Sequence, residues 1–138
     1  MQNFRASQVN LRVNYKAYIR LIRPKHYLKN GLIFLPLFFG GHLLDGDFVK
    51  KALIGFVAFS LIASTVYIIN DIKDVKNDSR HPKKKHRPIA SGEVSVASAV
   101  IIATVFIVVA TSIQLFVYPN IASLGLLLFY LVINLLYS

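Results

Sequence analysis

The chain has 138 residues, of which 55% are hydrophobic, yet it carries a formal net charge of +10. In a water-soluble protein those two properties conflict; in a membrane protein, apolar spans carry the hydrophobicity and short loops carry the charge. The absence of cysteine excludes a disulfide framework and any thiolate metal site.

The basic residues are clustered: seven within residues 5–29, two at Lys50 and Lys51, seven within residues 73–87, and none after Arg87. The N-terminal 29 residues are mixed polar and basic, unlike a cleaved secretory signal. Residues 15–28 alternate apolar and basic side chains at helical spacing, which predicts an amphipathic interfacial helix. It leads into a short apolar run, residues 31–44, read as a first membrane segment bent by Pro24 and Pro36. Asp45-Gly46-Asp47 reads as a turn. Residues 52–69 hold no charge and form a second span. Residues 94–118 form the clearest span, Tyr118-Pro119-Asn120 reads as a turn, and residues 121–137 begin a fourth span. The fold class expected is all-α, a polytopic transmembrane helix bundle of about four membrane helices.

Orientation follows from the distribution of Lys and Arg. Residues 1–30 and the loop 70–93 carry the positive charge and should face the cytoplasm of a cell membrane, with two spans between them. The turns at 45–51 and 118–120 then face outward, Lys50 and Lys51 being offset in part by Asp45 and Asp47.

The candidate chemistry lies where the second span runs into Asn70-Asp71-Ile72-Lys73-Asp74-Val75-Lys76-Asn77-Asp78. On one continuous helix Asp71, Asp74 and Asp78 fall within an arc of about 60°. Like charges so placed repel, and a hard divalent cation such as Mg²⁺, which prefers oxygen ligands and bridges carboxylates to phosphorylated substrates, offsets that cost. Asn70 adds a neutral amide. The plainer reading is a solvated helix end with local ion pairs. What favours the metal reading is the cationic loop that follows, Ser79 to Gly92, with Lys83, Lys84, Lys85 and Arg87. Carboxylates that hold Mg²⁺ beside Lys and Arg are what a diphosphate leaving group requires. The plainer reading of the loop is retention on the cytoplasmic side. Nucleic acid is not an expected partner, since the basic residues sit at span ends and no aromatic residue interrupts 80–87. His81 and His86, with His26 and His42 scattered, do not suggest a histidine metal site.

Asn70-Asp71-x-x-Asp74-x-x-x-Asp78 resembles the first aspartate-rich motif of the UbiA superfamily of intramembrane transferases. The extension His81-Pro82-x-Lys84-x-x-Arg87-Pro88-Ile89-Ala90-x-Gly92 is similar to its decaprenyl-phosphate phosphoribosyltransferase branch. So is Arg23-Pro24-Lys25-His26-Tyr27-Leu28-Lys29-Asn30, where that branch usually has Arg-Pro-x-Gln-Trp-x-Lys-Asn. The resemblance implies a helix bundle around a central cavity and Mg²⁺-dependent transfer of 5-phosphoribosyl from phosphoribosyl pyrophosphate to a polyprenyl phosphate, in cell-envelope biosynthesis. It implies that Asn70, Asp71, Asp74 and Asp78 hold Mg²⁺ and pyrophosphate, that Lys84 and Arg87 contact phosphate, and that Lys29 and Asn30 sit at the cavity mouth near a substrate phosphate. His26 and Tyr27 stand where that branch usually has Gln and Trp: the aromatic is kept in kind and the amide is not.

The resemblance covers about the first half of such a protein, with a second aspartate motif expected beyond Ser138. The expectation is therefore a fragment, or half of an assembly, with little or no activity alone. Two other functions compete: a prenyltransferase moving a prenyl group from its diphosphate to an aromatic acceptor, and a non-catalytic membrane protein that binds anionic lipid.

Overall fold

A computed structural model describes residues 14–117 and 119–137. The first thirteen residues, part of the expected cytoplasmic segment, and Tyr118 of the expected outer turn lie outside the described residues. Among the described residues the structure is helical and contains no strand.

The central element is α4, Gly46–Lys73. Its 28 residues make it about 42 Å long, which exceeds the roughly 30 Å of a bilayer's hydrocarbon core. It starts earlier than the uncharged stretch 52–69 because Asp45 caps it: the Asp45 side chain accepts from the Asp47 and Phe48 backbone N–H groups, and Asp47 lies in the first turn. The acidic Asp45-Gly46-Asp47 sequence is thus a helix start. Helices α6, Val96–Phe116, and α7, Ile121–Tyr137, follow, and α4 and α6 are each long and apolar enough to cross a membrane.

α6 buries Ala99, Ala103, Ala110 and Gln114 and points Val100, Ile101, Val105, Val108 and Val109 outward. On α4, Ala58 and Ile62 cluster with Ala110, and Ile68 clusters with Ala99 and Ala103. Small residues at the seam let two backbones approach, and large apolar ones on the outside suit lipid, the packing logic of membrane helices. Thr65 Oγ1 reaches the Ala103 carbonyl at 3.5 Å across this seam. α7 joins the lower part of the core through Leu127 and the Phe59–Tyr130 ring contact at 4.5 Å. At the other end, Lys73 Nζ donates to the Leu135 carbonyl, so α7 finishes beside the end of α4.

The N-terminal part is broken into short pieces. α1, Tyr15–Ile22, buries Ala17 and Leu21 completely against Ile68, Ile89, Val94 and Ala99. It stops well before residue 28, because Arg23 turns left-handed (φ 56°, ψ 53°) and its N–H closes on the Ile19 carbonyl. Pro24 then opens a 3-10 turn, Pro24–His26, followed by α2, Tyr27–Asn30, a second 3-10 turn, Gly31–Phe34, and α3, Leu35–Phe39. Two hydroxyls tie the break to α4: Ser64 Oγ donates to the Ile22 carbonyl at 2.7 Å, which leaves the Tyr27 hydroxyl to donate to Ser64 Oγ at 2.6 Å.

At its far end α4 stops at Lys73, and a separate short helix, α5, Val75–Arg80, begins after Asp74. The loop from His81 to Ser95 returns the chain to α6. Glu93 straps it to α1, accepting from Arg20 Nη2 at 2.5 Å and from Asn14 Nδ2 at 2.9 Å. Gly92 takes φ 78°, a conformation an L side chain disfavours, so that the Val94 N–H can bond the Pro88 carbonyl.

Two outcomes follow for α1. Leu21→Ala removes a fully buried side chain and should cost about 2–5 kcal/mol, read as a lower midpoint of thermal unfolding in detergent. The hydrogen bond from Arg20 holds the Glu93 carboxyl below its ordinary pKa, assisted by the Ser91 hydroxyl and the Arg20 charge. A depressed native pKa stabilises the fold above the ordinary glutamate value. That contribution disappears as pH falls through the native value. Glu93→Gln should therefore flatten the stability–pH profile on its acid side, measured by thermal unfolding between neutral and acid pH.

Candidate active site

The end of α4 that carries Asp71 faces α1 and the cationic loop. Asp71 and Asp78 are each 2% exposed, unusual for carboxylates. Their burial is supported by arginine. Arg23 Nη2 donates to Asp71 Oδ1 at 2.6 Å. Arg87 Nη1 lies between the two acids, 3.1 Å from Asp71 Oδ1 and 2.6 Å from Asp78 Oδ2. Lys84 Nζ stands 3.9 Å from Asp78 Oδ1. Arg23 also lies over the Tyr67 ring, 5.0 Å from its centroid, one helical turn before Asp71 on the same face of α4.

Above Asp71 opens a hollow of about 330 Å³, lined by Arg20, Arg23, His26, Asp71, Lys83, His86, Arg87 and Pro88. Four permanent cations and one carboxylate line it, so its ligand chemistry is that of a small polyanion. Asp71 Oδ2 is buried with no hydrogen-bond partner. Such an orphaned acceptor costs about 1–3 kcal/mol, and a hard cation or a ligand donor would satisfy it. The oxygen-only donor set of Asp71 and Asp78 fits Mg²⁺.

The expected residues are only partly brought together. Asp71, Asp78, Arg87 and Lys84 converge as described, and Asn70 precedes Asp71 on the last turn of α4. Asp74 does not join them: it is exposed and makes no ion pair among the described residues. The 60° arc assumed one continuous helix, whereas the backbone leaves α4 at Asp74 (φ −88°, ψ 1°) and restarts as α5. Among the described residues no three His, Cys, Asp or Glu side chains gather closely enough to share an ion. The acidic face is a pair of carboxylates rather than a fan of three.

Lys29 and Asn30 also lie elsewhere. Asn30 Nδ2 donates to Ser60 Oγ at 3.0 Å, eleven residues and therefore about 16 Å along α4 from Asp71. Lys29 is exposed on α2. Neither lines the hollow above Asp71.

Arg23, Tyr67 and Arg20 were not singled out from the sequence as site residues. Tyr67 sits four residues before Asp71, a spacing that could have flagged it. His81 has a positional role: its Nδ1 accepts from the Lys83 and Lys84 N–H groups at 3.2 and 3.3 Å, which leaves the ring proton on Nε2 and sets the start of the turn carrying Lys84. Pro82 follows without needing a donor of its own.

The chain is 39% identical over 108 residues to decaprenyl-phosphate phosphoribosyltransferase of Mycobacterium tuberculosis, covering 75% of this chain and 36% of that protein. It is 39% identical over 85 residues to nodulation protein NoeC of Azorhizobium caulinodans, covering 61% of this chain and 27% of that protein. It is 31% identical over 119 residues to 4-hydroxybenzoate octaprenyltransferase of Shewanella loihica, covering 85% and 42% respectively. The matched part of the chain thus spans less than half the length of each of these relatives. The model of the UbiA prenyltransferase family matches residues 32–138, and the chain belongs to that family of membrane helical bundles.

Proposed function

We propose that this chain supplies the diphosphate-binding part of a Mg²⁺-dependent transferase that moves 5-phosphoribosyl from phosphoribosyl pyrophosphate to a polyprenyl phosphate. The observation that carries the reading is the pair of buried carboxylates, Asp71 and Asp78, set beneath a hollow lined with Arg20, Arg23, Lys83 and Arg87. The similarity at 39% identity to a decaprenyl-phosphate phosphoribosyltransferase supports the sugar donor and lipid acceptor. The site faces the cytoplasm in this reading, because α1 and the loop before α6 bring the basic residues to one end of α4.

In this reading Asp71 and Asp78, with Asn70 beside them, hold Mg²⁺, which supplies charge neutralisation for the departing diphosphate. Arg23 and Arg87 orient the diphosphate oxygens, and Lys83 and Arg20 extend the positive lining toward the opening. The bond between the anomeric carbon and the diphosphate oxygen breaks, and a lipid phosphate oxygen forms the new bond to that carbon. The attacking phosphate is already ionised at neutral pH, so no strong general base is required. The soluble donor comes from the aqueous side and the lipid acceptor from the bilayer.

The competing reading is transfer of a prenyl group from its diphosphate to an aromatic acceptor, favoured by the 31% identity to 4-hydroxybenzoate octaprenyltransferase. The two differ in the donor. Phosphoribosyl pyrophosphate with Mg²⁺ should raise the midpoint of thermal unfolding in detergent, and a prenyl diphosphate should do so less. The reverse order would assign the prenyl donor. Asp71→Asn and Asp78→Asn should each remove the Mg²⁺-dependent part of that shift. A full shift in both variants would remove the carboxylates from the metal site.

A further inference from the structure

The carboxylates assigned to the metal are already engaged. Asp71 Oδ1 accepts from both Arg23 and Arg87, and Asp78 accepts from Arg87 and faces Lys84. Among the described residues three cations thus face two acids, a formal surplus of one positive charge. A bare divalent cation approaching this cluster meets no net negative charge. Asp71 Oδ2 alone is open to it; to gain Asp71 Oδ1 or Asp78 Oδ2 as well, it must take those oxygens from Arg23 and Arg87 and leave partly buried guanidinium groups without their carboxylates, which is costly. A diphosphate reverses the balance, because guanidinium groups that leave the carboxylates gain phosphate oxygens in bidentate geometry.

The positions of the groups suit such an exchange. Asp71 lines the hollow at 2% exposure, with the equally buried Asp78 behind Arg87, whereas the side chains of Arg23 and Arg87 are 21% and 27% exposed and line the opening. An entering anion therefore reaches the guanidinium groups first. Arg23 has a second seat: its guanidinium rests over the Tyr67 ring, a contact that does not depend on Asp71. Its backbone is fixed by the cap on α1, so only the side chain has to move.

We infer that Arg23 and Arg87 are exchangeable counter-ions that hold Asp71 and Asp78 until a diphosphate group arrives, then pass to its oxygens and release the carboxylates to the metal. Metal and anion consequently bind as one cooperative event, each raising the affinity for the other by the same factor. The inference rests on the reading of Asp71 and Asp78 as metal ligands. It adds to the diphosphate contact of Arg23 a role as exchangeable counter-ion, and a mechanism that keeps free divalent ions out of the site before substrate is present.

The test is a pair of titrations on the detergent-solubilised full chain. One uses bare Mn²⁺ followed by electron paramagnetic resonance; the other uses preformed magnesium pyrophosphate followed by calorimetry. Arg23→Gln should bind bare Mn²⁺ about tenfold more tightly than the parent chain and magnesium pyrophosphate about tenfold more weakly. Arg23→Lys, which keeps the charge and loses the fork, should bind bare Mn²⁺ like the parent and the complex more weakly. A merely structural role for Arg23 would lower both affinities in the Gln variant, and that result, or unchanged Mn²⁺ binding, would overturn the exchange while leaving the metal site standing. Tightened Mn²⁺ binding in the Lys variant equal to that in the Gln variant would also overturn it. Failure of the parent chain to bind magnesium pyrophosphate at all would overturn both the exchange and the functional reading.

Discussion

Two carboxylates buried within one arginine's reach, at the end of an apolar helix, set the terms for the rest of this structure. Asp71 and Asp78 cannot remain ionised at 2% exposure without positive partners, and the chain supplies these from two distant stretches. Arg23 comes from the break after α1, and Arg87 comes from the loop before α6. Each stretch must therefore be held at the same end of α4. Leu21 and Ala17 hold the first by burial, and the Arg20–Glu93 strap ties the second to it. The same charges that make the buried acids tolerable line the hollow above them.

The membrane part of the molecule follows from simpler rules. Apolar segments long enough to cross a bilayer announce themselves by composition, so α4, α6 and the shorter α7 were legible before any coordinates. Even the seam between α4 and α6 is visible in retrospect, in the recurrence of Ala99, Ala103 and Ala110 along α6. The N-terminal pieces were harder. A left-handed arginine is uncommon, and nothing in residues 15–28 except Pro24 indicated that the helix ends at Ile22.

The site was legible in kind and less so in arrangement. Carboxylates followed by a cationic loop pointed to phosphate chemistry, and Arg87 and Lys84 do stand beside Asp78. The count of 100° per residue went astray at Asp74, because it cannot register a helix that stops and restarts. Asn30 was grouped with the site by its motif, yet its amide reaches α4 at Ser60, where a membrane helix needs a buried polar partner. Pairings across long stretches of chain, such as Arg23 with Asp71, are set by tertiary packing and leave no local periodic signal.

The pair of hydroxyls at Ser64 and Tyr27 has one more effect. A chain that turns sharply beside lipid exposes a carbonyl that water would otherwise have to solvate, and here Ile22's carbonyl is served by the protein's own side chain. The elbow between α1 and the short pieces that follow it is thereby braced like a bracketed shelf, with α4 as the wall. Such a joint transmits position instead of yielding, so the height of the first arginine above the acids is set by a serine seven residues deeper on α4 and not by the looseness of the chain around it.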